Sequence, residues 1–268
     1  MIPRSTTFLI LSTFLYVCLS AQTPPQTSPP ASTPEGLQLL HKMQTALGGA
    51  EKIAAIHDYE ETIRAQTWDT NGTPLGEVRK RTRWMQSPNL LRLDQLGPRD
   101  TYILFFDGRS GSGWEILPDL QNPATFKTTG KAIDLVGGEL QFARGYLSGF
   151  QFNTWLADRV PGTAITSPAP NVLRVGANDI TLDPATGLPL KSASVSLADP
   201  NRPVSAEMLY LEWTEVAGVR FPTRRANYHS GLKLGEAITE GTIRVNAGLK
   251  PGQLAAKPAD ALPELAPQ

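Results

Sequence analysis

Two hydrophobic periods divide the chain. In the first folded stretch Leu37, Leu40 and Met43, with Leu39 and Leu47 beside them, recur at three- and four-residue steps. That spacing predicts a helix over 35–47, started by Thr33-Pro34-Glu35 and stopped by Gly48-Gly49, with a second short helix over 50–56. From there the period becomes two. Tyr59, Ile63 and Ala65 alternate with Glu60, Thr62 and Arg64, and Asp69-Thr70-Asn71-Gly72 marks a hairpin turn. Val78, Thr82 and Trp84 oppose Arg79, Arg81 and Arg83 on the returning strand, and 90–96 and 101–106 extend the meander.

The alternation stops between Gly137 and Leu156, where Leu140, Ala143, Leu147, Phe150 and Trp155 predict one or two helices. Beyond Pro161 strands return over 172–175, 180–182, 188–197, 204–215, 220–221 and 237–245. About ten antiparallel strands with so few helices describe an α+β protein built on one large curved sheet, which must curl or be covered to hide an apolar face. Large side chains occupy both faces of several strands: Leu209, Leu211 and Trp213 oppose Met208 and Tyr210, and Ile103 and Phe105 oppose Tyr102, Leu104 and Phe106. Two readings follow. Either helices and the sheet's own curvature bury those faces, or the concave face lines an apolar cavity.

Composition narrows the function classes. Lys and Arg total 25 against 25 Asp and Glu, which removes the basic excess of a nucleic-acid binder. A single cysteine, Cys18, allows no intrachain disulfide and no cysteine-rich zinc site. Residues 1–21 read as a secretory leader: Arg4 precedes an apolar core of about twelve residues, too short for a spanning helix, and Ser20-Ala21 suit cleavage. Lipidation at Cys18 is the alternative, disfavoured by bulky Tyr16 and Val17. Residues 22–34 form a Pro-rich linker and 250–268 a flexible Pro- and Ala-rich tail, leaving 35–249 as the folded domain. The expected location is therefore across the inner membrane, in the periplasm.

No motif nominates a reaction. His57, Asp58, Glu60 and Glu61 are close in sequence, but strand alternation splits them between faces, so they do not converge on a metal. Gly108–Gly113 lacks the lysine and following helix of a phosphate loop and reads as a hairpin turn. Arg79, Arg81 and Arg83 form a ridge, either balanced by neighbouring acids or open to lipid headgroups or an acidic partner. His229 could act as a base in a triad of distant residues, with no local nucleophile to support it. Neither catalytic residues nor a cofactor or metal are expected.

The order of certain turns carries a resemblance. Ala46-Leu47-Gly48-Gly49-Ala50-Glu51-Lys52-Ile53 is followed by Ile56 and Tyr59, then by Leu182-Asp183-Pro184-Ala185-Thr186-Gly187-Leu188-Pro189. Trp213-Thr214-Glu215-Val216-Ala217-Gly218-Val219-Arg220-Phe221-Pro222 and Ile243-Arg244-Val245-Asn246 complete the set. In this the chain resembles the LolA/LolB/LppX-type superfamily of outer-membrane lipoprotein-sorting proteins. The resemblance implies an incomplete antiparallel β-barrel around helices, with 137–156 as a lid over a cavity for acyl chains. It further implies a non-enzymatic, monomeric carrier whose partners are a lipid or the acyl chain of a lipoprotein, an envelope protein and, transiently, a membrane surface.

On that reading the expected lining is Ile63, Trp84, Leu91, Leu93, Phe105, Leu209, Leu211 and Trp213 from the sheet. Phe142, Tyr146, Phe150 and Trp155 would join them from the lid. A parity error would flip any one strand's contribution. Each buried methylene contributes ~0.8 kcal/mol, so a sixteen-carbon chain could gain roughly 12 kcal/mol before ordering costs. Two other functions fit the same strands: a ligand-free sensor or scaffold of the envelope, and a hydrolase using His229.

Overall fold

A computed structural model describes residues 31–96, 102–116, 132–195 and 206–257. The leader, most of the linker and the end of the tail lie outside these. The chain runs through helices α1 (Pro34–Leu47) and α2 (Ala50–Ala54). Strands β1 (Asp58–Trp68), β2 (Pro74–Met85), β3 (Leu90–Leu96), β4 (Tyr102–Asp107), β5 (Ser112–Ile116) and β6 (Ile133–Asp134) follow. Helices α3 (Gly137–Ser148) and α4 (Gln151–Trp155) come next. Then come β7 (Ile165–Ala169), β8 (Val172–Val175), β9 (Asn178–Leu182), β10 (Pro189–Ser194), β11 (Ala206–Val216), β12 (Val219–His229) and β13 (Leu232–Thr239). The short β14 (Arg244–Val245) and helix α5 (Pro251–Ala255) end the described chain.

All described strands join one open antiparallel sheet of 14 strands, in the order β6-β5-β4-β3-β2-β1-β13-β12-β11-β10-β9-β8-β7, with β14 beside β1. The sheet does not close on itself. Its two edges, β6 and β7, are the strands that flank α3 and α4 in sequence, so the helical segment connects one edge of the sheet to the other. This is the incomplete barrel with helices that the turn motifs imply.

Helix α1 forms for the reasons its sequence offers. The Thr33 hydroxyl accepts from the Gly36 amide at 3.1 Å, Pro34 occupies the first turn, and Leu40, Met43 and Leu47 are fully buried at helical spacing. Gly48 ends it at φ +121°, and a Cβ there would lie 2.1 Å from the Gly218 carbonyl oxygen of the β11–β12 turn. Gly48→Ala is expected to lower stability by at least ~1 kcal/mol, measured as a shift in the urea midpoint, because both the backbone angle and the space exclude a methyl group.

The other motifs meet on the same helices. Lys42 Nζ donates to the Pro184 carbonyl at 2.7 Å, and Asn246 Nδ2 donates to the Ala55 carbonyl at 3.0 Å. Turns distant in sequence thus fix where the sheet sits on α1 and α2.

Two apolar clusters result. The larger lies on the concave face, where Tyr59, Trp84, Leu91, Leu93 and Phe221 meet α1, α2 and α4. The smaller lies on the opposite face, where Leu90, Ile103, Phe105, Trp114 and Ile116 pack under Leu254 of α5. The expectation of a flexible tail from 250 therefore needs correcting for its described part. Leu254 is fully buried, Arg92 Nη1 donates to the Leu254 and Ala256 carbonyls at 3.0 and 2.6 Å, and the Trp114 indole donates to the Ala255 carbonyl at 3.2 Å.

Strand extents differ as well. The alternation over 237–245 reads as one strand, but Gly241 at φ +76° breaks it into β13 and β14. β12 runs eleven residues, well beyond the short 220–221 piece. The arginine ridge is balanced: Arg79 pairs with Glu240 at 2.7 Å, Arg81 with Glu60 at 2.9 Å, and Arg83 with Asp94.

Candidate functional site: a cavity beneath the helical segment

Helices α3 and α4 are short and amphipathic, and isolated pieces of this length do not hold in water. They are held by docking. Ala143, Leu147 and Phe150 face the sheet, and Phe152 stacks on Trp84 with ring centroids 4.6 Å apart. From α1, buried Gln44 donates through Nε2 to the Trp155 carbonyl and to Asp158 Oδ1, each at 3.0 Å. Under α1, α2 and α4 the protein is solid: Tyr59, Trp84, Phe150, Phe152, Trp155 and Phe221 form a continuous set of ring contacts.

On the other half of the sheet the space is not filled. A cavity of 420 Å³ lies between the helical segment and strands β9 to β12. Phe150, Trp155, Ile180, Pro189 and Trp213 supply much of its apolar wall. Met208 and Tyr210 point into it from β11, and a register irregularity between Tyr210 and Trp213 brings Trp213 to the same face three residues on, its ring 5.6 Å from that of Tyr210. By register, Tyr210 lies opposite Arg225, Met208 opposite Asn227, and Trp213 opposite Pro222. The Trp213 end therefore adjoins the aromatic core, and the Met208–Asn227 end runs toward the exposed turn after β12.

The wall also carries charge. Arg225, with its side chain 14% exposed, pairs with the nearly buried Glu61 of β1. Glu61 also accepts from the Tyr59 hydroxyl at 2.8 Å and the Thr239 hydroxyl at 2.6 Å. Burial opposes the Arg225 charge most strongly, but the Glu61 carboxylate, with smaller help from Tyr59 and Tyr146, leaves the guanidinium pKa above its ordinary value. The Tyr59 phenol is raised well above its usual range, first by burial and then by Glu61. The Gln151 amide sits close enough to favour the Tyr59 anion, yet its Nε2 is buried without a partner in hydrogen-bond geometry. Tyr146 of α3 accepts from Lys80 Nζ at 3.1 Å, and Tyr210 donates to the Ser192 hydroxyl at 3.0 Å. Among the described residues no group of His, Cys, Asp and Glu could hold a metal.

No family model matches this sequence, and no curated protein matches it. Solved structures do. A domain assigned to the outer-membrane lipoprotein-sorting proteins, from Vibrio parahaemolyticus, is 13% identical and matches over 82% of this chain and 96% of its own, with a TM-score of 0.51. A DUF1329 family protein from Desulfovibrio piger is 11% identical over 84% of this chain and 98% of its own, with a TM-score of 0.53. The chain shares the fold of these two structures.

Within that fold the residues expected to line a cavity divide by position. Tyr146, Phe150, Trp155 and Trp213 border the 420 Å³ space. Trp84, Leu91 and Leu93 face the concave side but are sealed in the solid core, because the aromatic rings of α4 fill the volume above them. Ile63 is half-buried on the same side, level with Thr239, outside the cavity wall. Phe105 belongs to the convex cluster beneath α5. Leu209 and Leu211 face away from the cavity, Leu211 being 45% exposed, because β11 turns Met208 and Tyr210 inward. Phe142 is 54% exposed on the outside of α3.

Arg225, Tyr210, Gln151 and Ser192 were not anticipated. One signal was present: Glu61 falls on the apolar side of β1, between Tyr59 and Ile63, where a carboxylate needs a buried partner. His229 is exposed beside the Ser230–Gly231 turn, with no hydrogen bond or ion pair to an acid among the described residues. No described helix is long and apolar enough to cross a membrane.

Proposed function

We propose that this protein is a non-enzymatic periplasmic carrier that holds the acyl chain of a lipid or of an acylated protein beneath α3 and α4. The cavity carries this reading. Its 420 Å³ falls within the ~300–1,000 Å³ typical of small-ligand sites, and aromatic and aliphatic side chains dominate one end. Burying an alkyl chain there supplies the driving force without a metal or cofactor. The helical segment that roofs the cavity is tied to both sheet edges, so cargo could enter by local displacement of that segment while the sheet stays intact. The solved lipoprotein-sorting domain shares the fold that such a role would use. A leader over 1–21 would deliver the chain across the inner membrane.

Native mass spectrometry of the protein purified from its own envelope tests the proposal. Co-purified lipid or acylated peptide is the expected result. A ligand-free protein that also fails to take up a fluorescent acyl probe would overturn it in favour of a scaffold. Met208→Trp should place an indole in the cavity and lower probe affinity at least ~10-fold, with a stability change of no more than ~1–3 kcal/mol from overpacking. Unchanged affinity in the folded variant would place the acyl chain elsewhere.

A further inference from the structure

We infer that the cavity selects amphiphiles with an oxyanion headgroup, a carboxylate or a phosphate monoester, and that Arg225 is the anchor for that group. The inference rests on the acyl-binding reading above and names its ligand class. It follows from an imbalance in the Glu61–Arg225 pair. Glu61 accepts from three donors, Tyr59, Thr239 and Arg225, and has little capacity left. Arg225 gives one N–H to Glu61, and its other donors meet no acceptor among the described residues. None of its nitrogens is buried without a partner, so those donors keep some exposure, and Arg225 is one of the residues that line the cavity.

A guanidinium carries five N–H groups in a planar fork, and its unused edge matches two oxygens of a carboxylate or phosphate. Arg225 is held rigidly by Glu61 rather than free on a flexible surface, so little side-chain entropy is lost when an anion binds. The acid on the cavity wall, Glu207, is engaged by Lys191 at 2.7 Å and does not neutralise Arg225.

The register supplies the direction. Arg225 lies opposite Tyr210, between the Trp213 end beside the aromatic core and the Asn227 end toward the outer turn. An alkyl tail directed at Trp213, Trp155 and Phe150 leaves its headgroup at Arg225, with the Tyr210 and Ser192 hydroxyls nearby on the same wall. An alcohol or ester of the same chain length would gain the burial of the tail but only neutral hydrogen bonds from the fork.

Binding of dodecanoate, dodecyl phosphate and dodecanol to the full chain, by isothermal titration at pH 8, tests the inference. One or both anions should bind roughly 10- to 100-fold more tightly than dodecanol, the span of a charge-assisted against a neutral hydrogen bond. A phosphate preference would indicate a phospholipid-derived ligand, and a carboxylate preference a fatty acid. In Glu61→Gln/Arg225→Met the buried charges leave together, so the fold should persist. Dodecanol, which loses at most a neutral hydrogen bond, should then weaken by no more than about tenfold, and the anion preference should disappear. Equal binding of all three by the wild type, or a preference that survives in the folded double variant, overturns the role of Arg225 while leaving an acyl cavity intact. Binding of none of the three would defeat the carrier reading itself, and the inference with it.

Discussion

Replacing Phe152 by Ala should be among the most damaging single changes in this protein, costing ~3–5 kcal/mol in urea denaturation. Phe152 is 2% exposed and its ring touches those of Tyr59, Trp84, Trp155 and Phe221, with centroids 4.6 to 6.1 Å away. The effect should be uneven along the chain. Helix α4 spans only five residues and has little stability of its own, so losing its central ring removes much of what holds the cavity roof to the sheet. Amide exchange in 137–156 should accelerate more than in β1 to β3. Leu254→Ala, which empties a site on the convex face, should spare those amides at equal global destabilisation. A loss below ~1 kcal/mol, or uniform acceleration, would mean that Phe152 is not the attachment point.

This attachment explains why the sheet is solid on one half and hollow on the other. The rings of α4 descend onto β1 to β3 and fill the space above Tyr59, Trp84 and Leu91. On β12 these rings meet only Phe221, and among the described residues no ring of the helical segment contacts a ring of β10 or β11. There α3 presents Gly145 and Tyr146, and Gly149 follows at the helix end. Small residues at the roof and a bulged β11 below leave volume unfilled. The position of the cavity is therefore set by where the large side chains of 145–155 fall in sequence.

That asymmetry also marks how far the sequence could be read. The helical period of Leu40, Met43 and Leu47 and the stop at Gly48-Gly49 are local properties and survive in the structure, whereas the alternation from Tyr59 to Ala65 gives the strand but not a wet face, since β1 is buried on both faces from Asp58 to Thr62. The motifs that carried the family resemblance turn out to be joints: Gly48 against Gly218, Lys42 against Pro184, Asn246 against Ala55. They specify a scaffold and leave its contents open. Which face of β11 turns inward depends on pairing with β10 and β12 and on a bulge, neither of which an alternating pattern encodes. Leu209 and Leu211 looked like lining because they are aliphatic, whereas the wall uses Met208, Tyr210 and Trp213. Arg225 was hidden for a related reason, since β12 extends through Thr223-Arg224-Arg225, a run whose polarity suggests a loop.

The second large effect is expected at Glu61. Glu61→Ala should cost ~3–5 kcal/mol, because Arg225 is left charged and mostly desolvated and Tyr59 loses the acceptor for its buried hydroxyl. Tyr59→Phe, which removes only one of the three donors, should cost ~1 kcal/mol. Adding Arg225→Met to Glu61→Ala should restore stability relative to Glu61→Ala alone, giving a coupling of ~2 kcal/mol in a double-mutant cycle. Additive losses would mean that water screens the pair as it does a surface ion pair, and the guanidinium would then have no rigid partner to aim it. A strong coupling has a functional corollary. A charge pair buried behind the cavity wall, with only Arg225 reaching the lining, costs desolvation energy that a hydrophobic pair would avoid. Glu61 is fully engaged and only Arg225 has donors to spare, so the residue that gives this arrangement a use is the one facing the cavity.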